Sequence, residues 1–166
     1  MKLIPAILLM FISQISIAQN DNPQRQAFKL KLPVDGEQYY EQDVQSTPYF
    51  VHDDILQIYP GEKVFVEVEL KDDTIFSMKT VKENLHPQYT IEIELSQKAK
   101  AGKSEMMLLK VINPFDKNLE YKARMFIVGN DKWLSTSILP VPAKLGGYET
   151  WTDVIITLAL YNWKLK

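Results

Sequence analysis

The sequence contains no cysteine. Disulfides, thiolate nucleophiles and cysteine-based metal sites are thereby excluded, as is an acyl anchor on an N-terminal cysteine. Glycine is scarce, with 6 in 166 residues, and none falls in a phosphate-cradling or dinucleotide-binding pattern. Only 2 histidines, His52 and His86, could serve as imidazole bases. Charge of one sign is also lacking. The 19 basic and 21 acidic residues leave a formal net charge of -2, without the basic footprint of a nucleic-acid binder, and no nucleic-acid partner is expected. Apolar residues at 46% and charged residues at 24% are enough to build and solvate a core, which rules out a collagen, a rod and a wholly disordered chain.

One long apolar run is present, and it opens the chain. Lys2 supplies a positive charge, Leu3 to Ile12 is almost uninterrupted, and Ser16 and Ala18 place small residues before Gln19. This order is that of a secretory signal peptide over residues 1–18, with cleavage expected between Ala18 and Gln19. A retained anchor is the alternative, but a spanning helix needs about 20 apolar residues, and this run is shorter and ends in polar ones. No stable membrane insertion is expected after cleavage. Export without cysteine suits the periplasm or the extracellular face of a bacterial cell. Residues 19–26 are polar and aperiodic and read as a disordered leader, leaving 27–166 as a single domain.

Period two dominates that domain. Phe28, Leu30 and Leu32 alternate with lysines, and Val64, Val66, Val68 and Leu70 alternate with Lys63, Phe65, Glu67 and Glu69. Ile91, Ile93 and Leu95 form a third such stripe, and Leu119, Tyr121, Ala123, Met125 and Ile127 a fourth. Each predicts a half-buried strand. Met106 to Ile112 is apolar on both sides except Lys110 and reads as a central strand buried on two faces. Val154 to Tyr161 reads the same way, and 55–59 and 135–141 are shorter candidates, the last kept to an edge by its prolines. Turn residues at 60–63, 113–117, 129–131 and 146–147 punctuate these runs. In 72–85 the spacing of Ile75, Met78, Val81 and Leu85 suits a helix, whereas Thr74, Ile75, Phe76, Thr80 and Val81 favour a strand; strand is the preferred reading.

The stretch Met106 to Val128, a buried apolar strand, an Asn-Pro turn and an alternating strand carrying a tyrosine, resembles paired strands of immunoglobulin-like β-sandwich domains in exported bacterial proteins. The resemblance implies an all-β, two-sheet antiparallel sandwich, and the strand rhythm adds a count of about seven to nine strands. The antibody pattern of Cys, Trp and Cys is absent, and fold alone assigns no function.

No coherent catalytic set emerges. His86 precedes Pro87 in a polar stretch, and no Gly-x-Ser-x-Gly occurs. His52, Asp53 and Asp54 are the best local group of metal-ligand types, but consecutive side chains diverge, so a solvated turn is the expectation. Glu67 with Glu69, and Glu92 with Glu94, share strand faces and read as the wet side of a sheet, with Lys29 and Lys31, or Lys122 and Arg124, as cross-strand partners. The lysines from Lys98 to Lys103 read as a hairpin tip. No metal, cofactor or enzymatic activity is expected.

The expected function is recognition of a protein partner in the envelope through edge strands or end loops. Small-ligand or carbohydrate binding is the alternative, carried by Tyr39, Tyr40, Tyr148, Trp151 and Trp163 if their rings are exposed rather than plugging the ends of the core.

Overall fold

The computed structural model describes residues 23–166, so the signal peptide read over 1–18 and leader residues 19–22 lie outside the described residues. In chain order the first strands are β1 (Gln24–Arg25), β2 (Phe28–Asp35), β3 (Gln38–Val44), β4 (Thr47–Pro48), β5 (Phe50–His52), β6 (Ile55–Ile58) and β7 (Lys63–Lys71). They are followed by β8 (Thr74–Val81), β9 (Thr90–Lys100), β10 (Lys103–Ile112), β11 (Leu119–Ile127), β12 (Leu134–Thr136), β13 (Gly146–Trp151) and β14 (Ile155–Leu165). No helix occurs among the described residues.

Two antiparallel five-stranded sheets, ordered β13-β10-β9-β7-β8 and β12-β11-β14-β6-β5, face each other as an all-β sandwich. The alternating stripes explain why. Val64, Val66, Val68, Ile91, Ile93 and Leu95 from one sheet meet Leu119, Tyr121, Ala123, Leu158 and Leu160 from the other, all buried in one core. At about 25 cal/mol per Å² of apolar surface removed from water, such interdigitated faces supply the main stabilisation of a chain without cross-links. Ten strands fill the two sheets, more than the seven to nine expected from the rhythm: β5 has only three residues, and β13 opens on Gly146 and Gly147, which read as a turn, while the 135–141 candidate is a strand only over its first residues, in β12.

A second core forms outside the sandwich. The β2–β3 hairpin lays Leu30, Leu32 and Val44 over Tyr59, Val154 and Ile156, which is why the start of β14 is buried on both faces. The hairpin turn also touches the β9–β10 turn: Gly102 sits at φ +77 with the Gly36 carbonyl pressed against the place where a Cβ would be. Gly102→Ala is expected to destabilise by at least about 1 kcal/mol, from the left-handed backbone alone, and to loosen this docking. Increased amide exchange in Leu30 and Leu32, with Ile91 and Ile93 unchanged, is the check.

Residues 23–26, the described part of the leader read over 19–26, depart from that reading as disordered. Gln24 and Arg25 pair with Pro48 and Thr47, and Arg25 is 1% exposed. The Pro23 carbonyl accepts from Thr80 Oγ1 of β8. Arg25 reaches Glu62, Thr47 and the Gln57 carbonyl, so this short segment ties one sheet to the other along an open side of the sandwich. On the opposite side the β12–β13 connection bridges the sheets, with Val141 paired to Leu119 and Leu139 N donating to Glu149 Oε1.

Two further expectations are corrected. Met106–Ile112 is central in its sheet but not buried on two faces: Met107, Leu109 and Val111 are buried, while Met106, Leu108 and Ile112 are half-exposed. The strands of the 106–128 stretch do not pair. β10 bonds β9 and β13, β11 bonds β12 and β14, and the Asn-Pro turn between them crosses from one sheet to the other.

Candidate functional site

The segment 72–85 is a strand from Thr74 to Val81, and it forms one edge of its sheet. β7 pairs with β9 only from Lys63 to Glu67, but with β8 from Phe65 to Lys71. The distal half of the β7–β8 hairpin therefore overhangs the sheet. Val68 N donates to Tyr89 O at 2.9 Å, so the Val68 amide points away from β8. Its register partner Met78 then turns its own N–H and C=O to the outer edge, since the two residues of such a pair face opposite ways. A bulge at Phe76 and the charge of Lys79 guard this edge against indiscriminate pairing, and Pro23 covers its Thr80 end, leaving Met78 open among the described residues.

Exposed apolar side chains gather here. Phe76 is 62% exposed, Leu85 73%, Tyr89 50% and Leu70 36%. Beside them, on the outer face of β7 and β8, lies a groove of about 650 Å³ lined by Glu67, Val68, Glu69, Leu70, Ser77, Lys79, His86 and Tyr89. A second cleft of about 490 Å³ runs under the hairpin between Leu70, Asp73, Tyr89 and the Phe115–Lys117 turn, where Lys117 Nζ bonds Asp73 at 3.1 Å. Leu70 and Tyr89 line both.

The charges in the groove are unequally matched. Glu67 receives Lys79 Nζ at 2.8 Å and His86 Nδ1 at 2.7 Å, and these two hydrogen bonds hold its carboxyl below the usual carboxylate range. Among the described residues the Glu69 carboxylate accepts from the Ser77 hydroxyl alone, at 2.9 Å. A depressed folded-state value means that the Glu67 interaction is fully present above the unfolded value and is lost as pH falls through the folded one. The pair is solvent-facing, so its effect on stability is small. Lys79→Met should move the Glu67 titration upward in a carbon-detected NMR series, and an unmoved midpoint would show that Lys79 is not its principal partner.

The aromatic residues singled out from sequence are dispersed. Tyr39 lies on the outer face of the β2–β3 hairpin, with Lys31 Nζ at 4.4 Å from its ring. Tyr40 faces the second core and bonds Gln42 through its hydroxyl. Tyr148, on β13, is 60% exposed and lies opposite Lys110 of β10. Trp151 packs at the margin of the main core and donates to Thr136 Oγ1. Trp163 is buried, stacked on Tyr121 at 4.9 Å, with its N–H given to the Asp54 carbonyl. Only Tyr39 and Tyr40 are neighbours, and they face opposite ways.

The acidic pairs also find other partners than those expected. Lys29 and Lys31 clamp Glu41 within their own hairpin and hold its carboxyl down at about 2, while Lys63 and Asn84 take Glu92. His52 and Asp53 sit together on an exposed turn, and Asp54 Oδ2 accepts from Asn162 N. The groove residues Glu69, Lys79, His86 and Tyr89 were not assembled by sequence reasoning, because they come from two strands and a connecting loop. The chain matches no family model, no curated protein and no solved structure.

Proposed function

We propose that this protein is an exported, non-enzymatic recognition module of a bacterial envelope, built on an immunoglobulin-like sandwich, which binds an extended segment of a protein partner along β8. The observation that carries the reading is the β8 edge at Met78, unpaired among the described residues and flanked by exposed Phe76, Leu85 and Tyr89. An extended chain is the one ligand that satisfies a row of outward amides and carbonyls at regular spacing, and neighbouring pockets then select its side chains. The apolar leader at residues 3–12 supports export.

The test uses the full chain in cells that export it, with a photo-reactive phenylalanine analogue at Phe76 and, separately, at Tyr148. The expected result is an adduct from Phe76 alone, mapped by mass spectrometry to one contiguous segment of one partner. Met78→Pro should abolish it. Proline there removes an outward donor and leaves the β7 ladder intact, as edge strands allow. Adducts equally strong from Tyr148, or insensitive to Met78→Pro, would overturn the reading.

A further inference from the structure

We infer that the groove beside β8 receives a basic side chain, arginine or lysine, from the bound segment, with its charge on Glu69 and its apolar stem along Leu70 and Tyr89. This rests on the reading of β8 as a peptide-binding edge and names the chemistry of what it binds. Five titratable groups line the groove: Glu67, Glu69, Lys79, His86 and the Tyr89 phenol. Glu67 takes the direct contacts of Lys79 and His86, whereas Glu69 is held by the neutral Ser77 hydroxyl and makes no ion pair among the described residues. Ser77 and Glu69 are register partners, and a strand added to β8 would place a residue next in that row, within reach of Glu69 across Ser77. An acidic residue at that place would meet an unmatched carboxylate, and a neutral one would leave it unmatched. A long cationic side chain gains the pairing and also covers apolar wall with its methylenes. The chain already holds one of its own arginines in this manner, with Arg25 on Glu62 and against the Tyr49 and Tyr59 rings.

The experiment titrates the folded protein with capped hexapeptides of alternating valine and threonine that differ at one central position: arginine, lysine, citrulline or glutamate. Amide shifts of Ser77, Met78 and Tyr89 report binding. Arginine and lysine peptides are expected to bind about fivefold more tightly than the citrulline peptide, the size of one partly shielded charge pair, with glutamate weakest. Glu69→Gln should erase the preference while leaving citrulline binding unchanged. Equal binding of all four peptides at these amides overturns the inference and leaves the edge reading standing. Absence of any shift at the β8 amides with every peptide overturns both.

Discussion

Replacing Arg25 with alanine should lower the unfolding free energy by about 3–5 kcal/mol, the cost of removing one partner of a buried ion pair. The guanidinium is 1% exposed and fully used: Nε and Nη2 fork onto Glu62 at 2.7 and 3.0 Å, Nη2 also reaches the Gln57 carbonyl at 2.8 Å, and Nη1 reaches Thr47 Oγ1 at 3.0 Å. The rings of Tyr49 and Tyr59 each lie 4.8 Å from its central carbon. Burial pushes both tyrosine hydroxyls above their usual range, with the Arg25 charge opposing that shift. Alanine leaves Glu62 charged in a socket shaped for its partner, with only the Tyr59 amide, at 2.8 Å, still bonded to it. Arg25→Lys should recover part of the loss, because an ammonium restores the charge but not the planar fork. Arg25→Met with Glu62→Gln should recover more, since no charge is then stranded while the Tyr59 amide keeps an acceptor. Urea midpoints compared at constant slope are the measurement. A loss under about 1 kcal/mol for Arg25→Ala would place the segment outside the cooperative unit.

Which strands exist was legible where one face of a strand meets water. β2, β7, β9 and β11 alternate cleanly because their outer residues are lysines, glutamates and arginine. β10 was misread because Met106, Leu108 and Ile112 line an outer face that is only half-covered, and apolar character does not distinguish that from burial. The 72–85 ambiguity has a specific cause. Leu70 pairs with Ile75 and Glu69 with Ser77, so Phe76 is an extra residue, and Ile75 and Met78 reach the core three positions apart. A bulge thus imitates helical spacing. Arg25 was hidden because its role depends on Glu62, 37 residues away, and on two tyrosines with no sequence relation to it. The candidate groove was hidden for the same reason. Its parts are named by register between β7 and β8 and by the path of a loop, neither of which a period reveals.

Asn113→Ala should destabilise by about 2–4 kcal/mol, as several buried backbone groups lose their partner at about 1 kcal/mol each. The side chain is a hub: Nδ2 donates to the carbonyls of Lys117 at 2.8 Å, Val141 at 3.0 Å and Pro142 at 3.0 Å, and Oδ1 accepts from Phe115 N at 3.0 Å. Its own amide donates to Leu145 O at 2.9 Å. These bonds fasten the turn that carries the chain from one sheet to the other against the connection closing the side of the sandwich. The loss should therefore appear as global unfolding, with amide protection falling in β10 and β11 together. Asn113→Asp separates hydrogen bonding from packing, because it keeps the shape and replaces a donor by an acceptor facing three carbonyl oxygens. At neutral pH it should be less stable than the alanine variant, since a buried carboxylate among acceptors is worse than a small void. Such surroundings raise the folded-state value of the new carboxyl above the unfolded one of about 3.9. The penalty should then shrink as pH falls through that raised value, where the protonated group regains one donor. An aspartate variant as stable as the alanine one at pH 7, or one whose deficit does not shrink on acidification, would show that Asn113 acts by filling space rather than by joining the two connections.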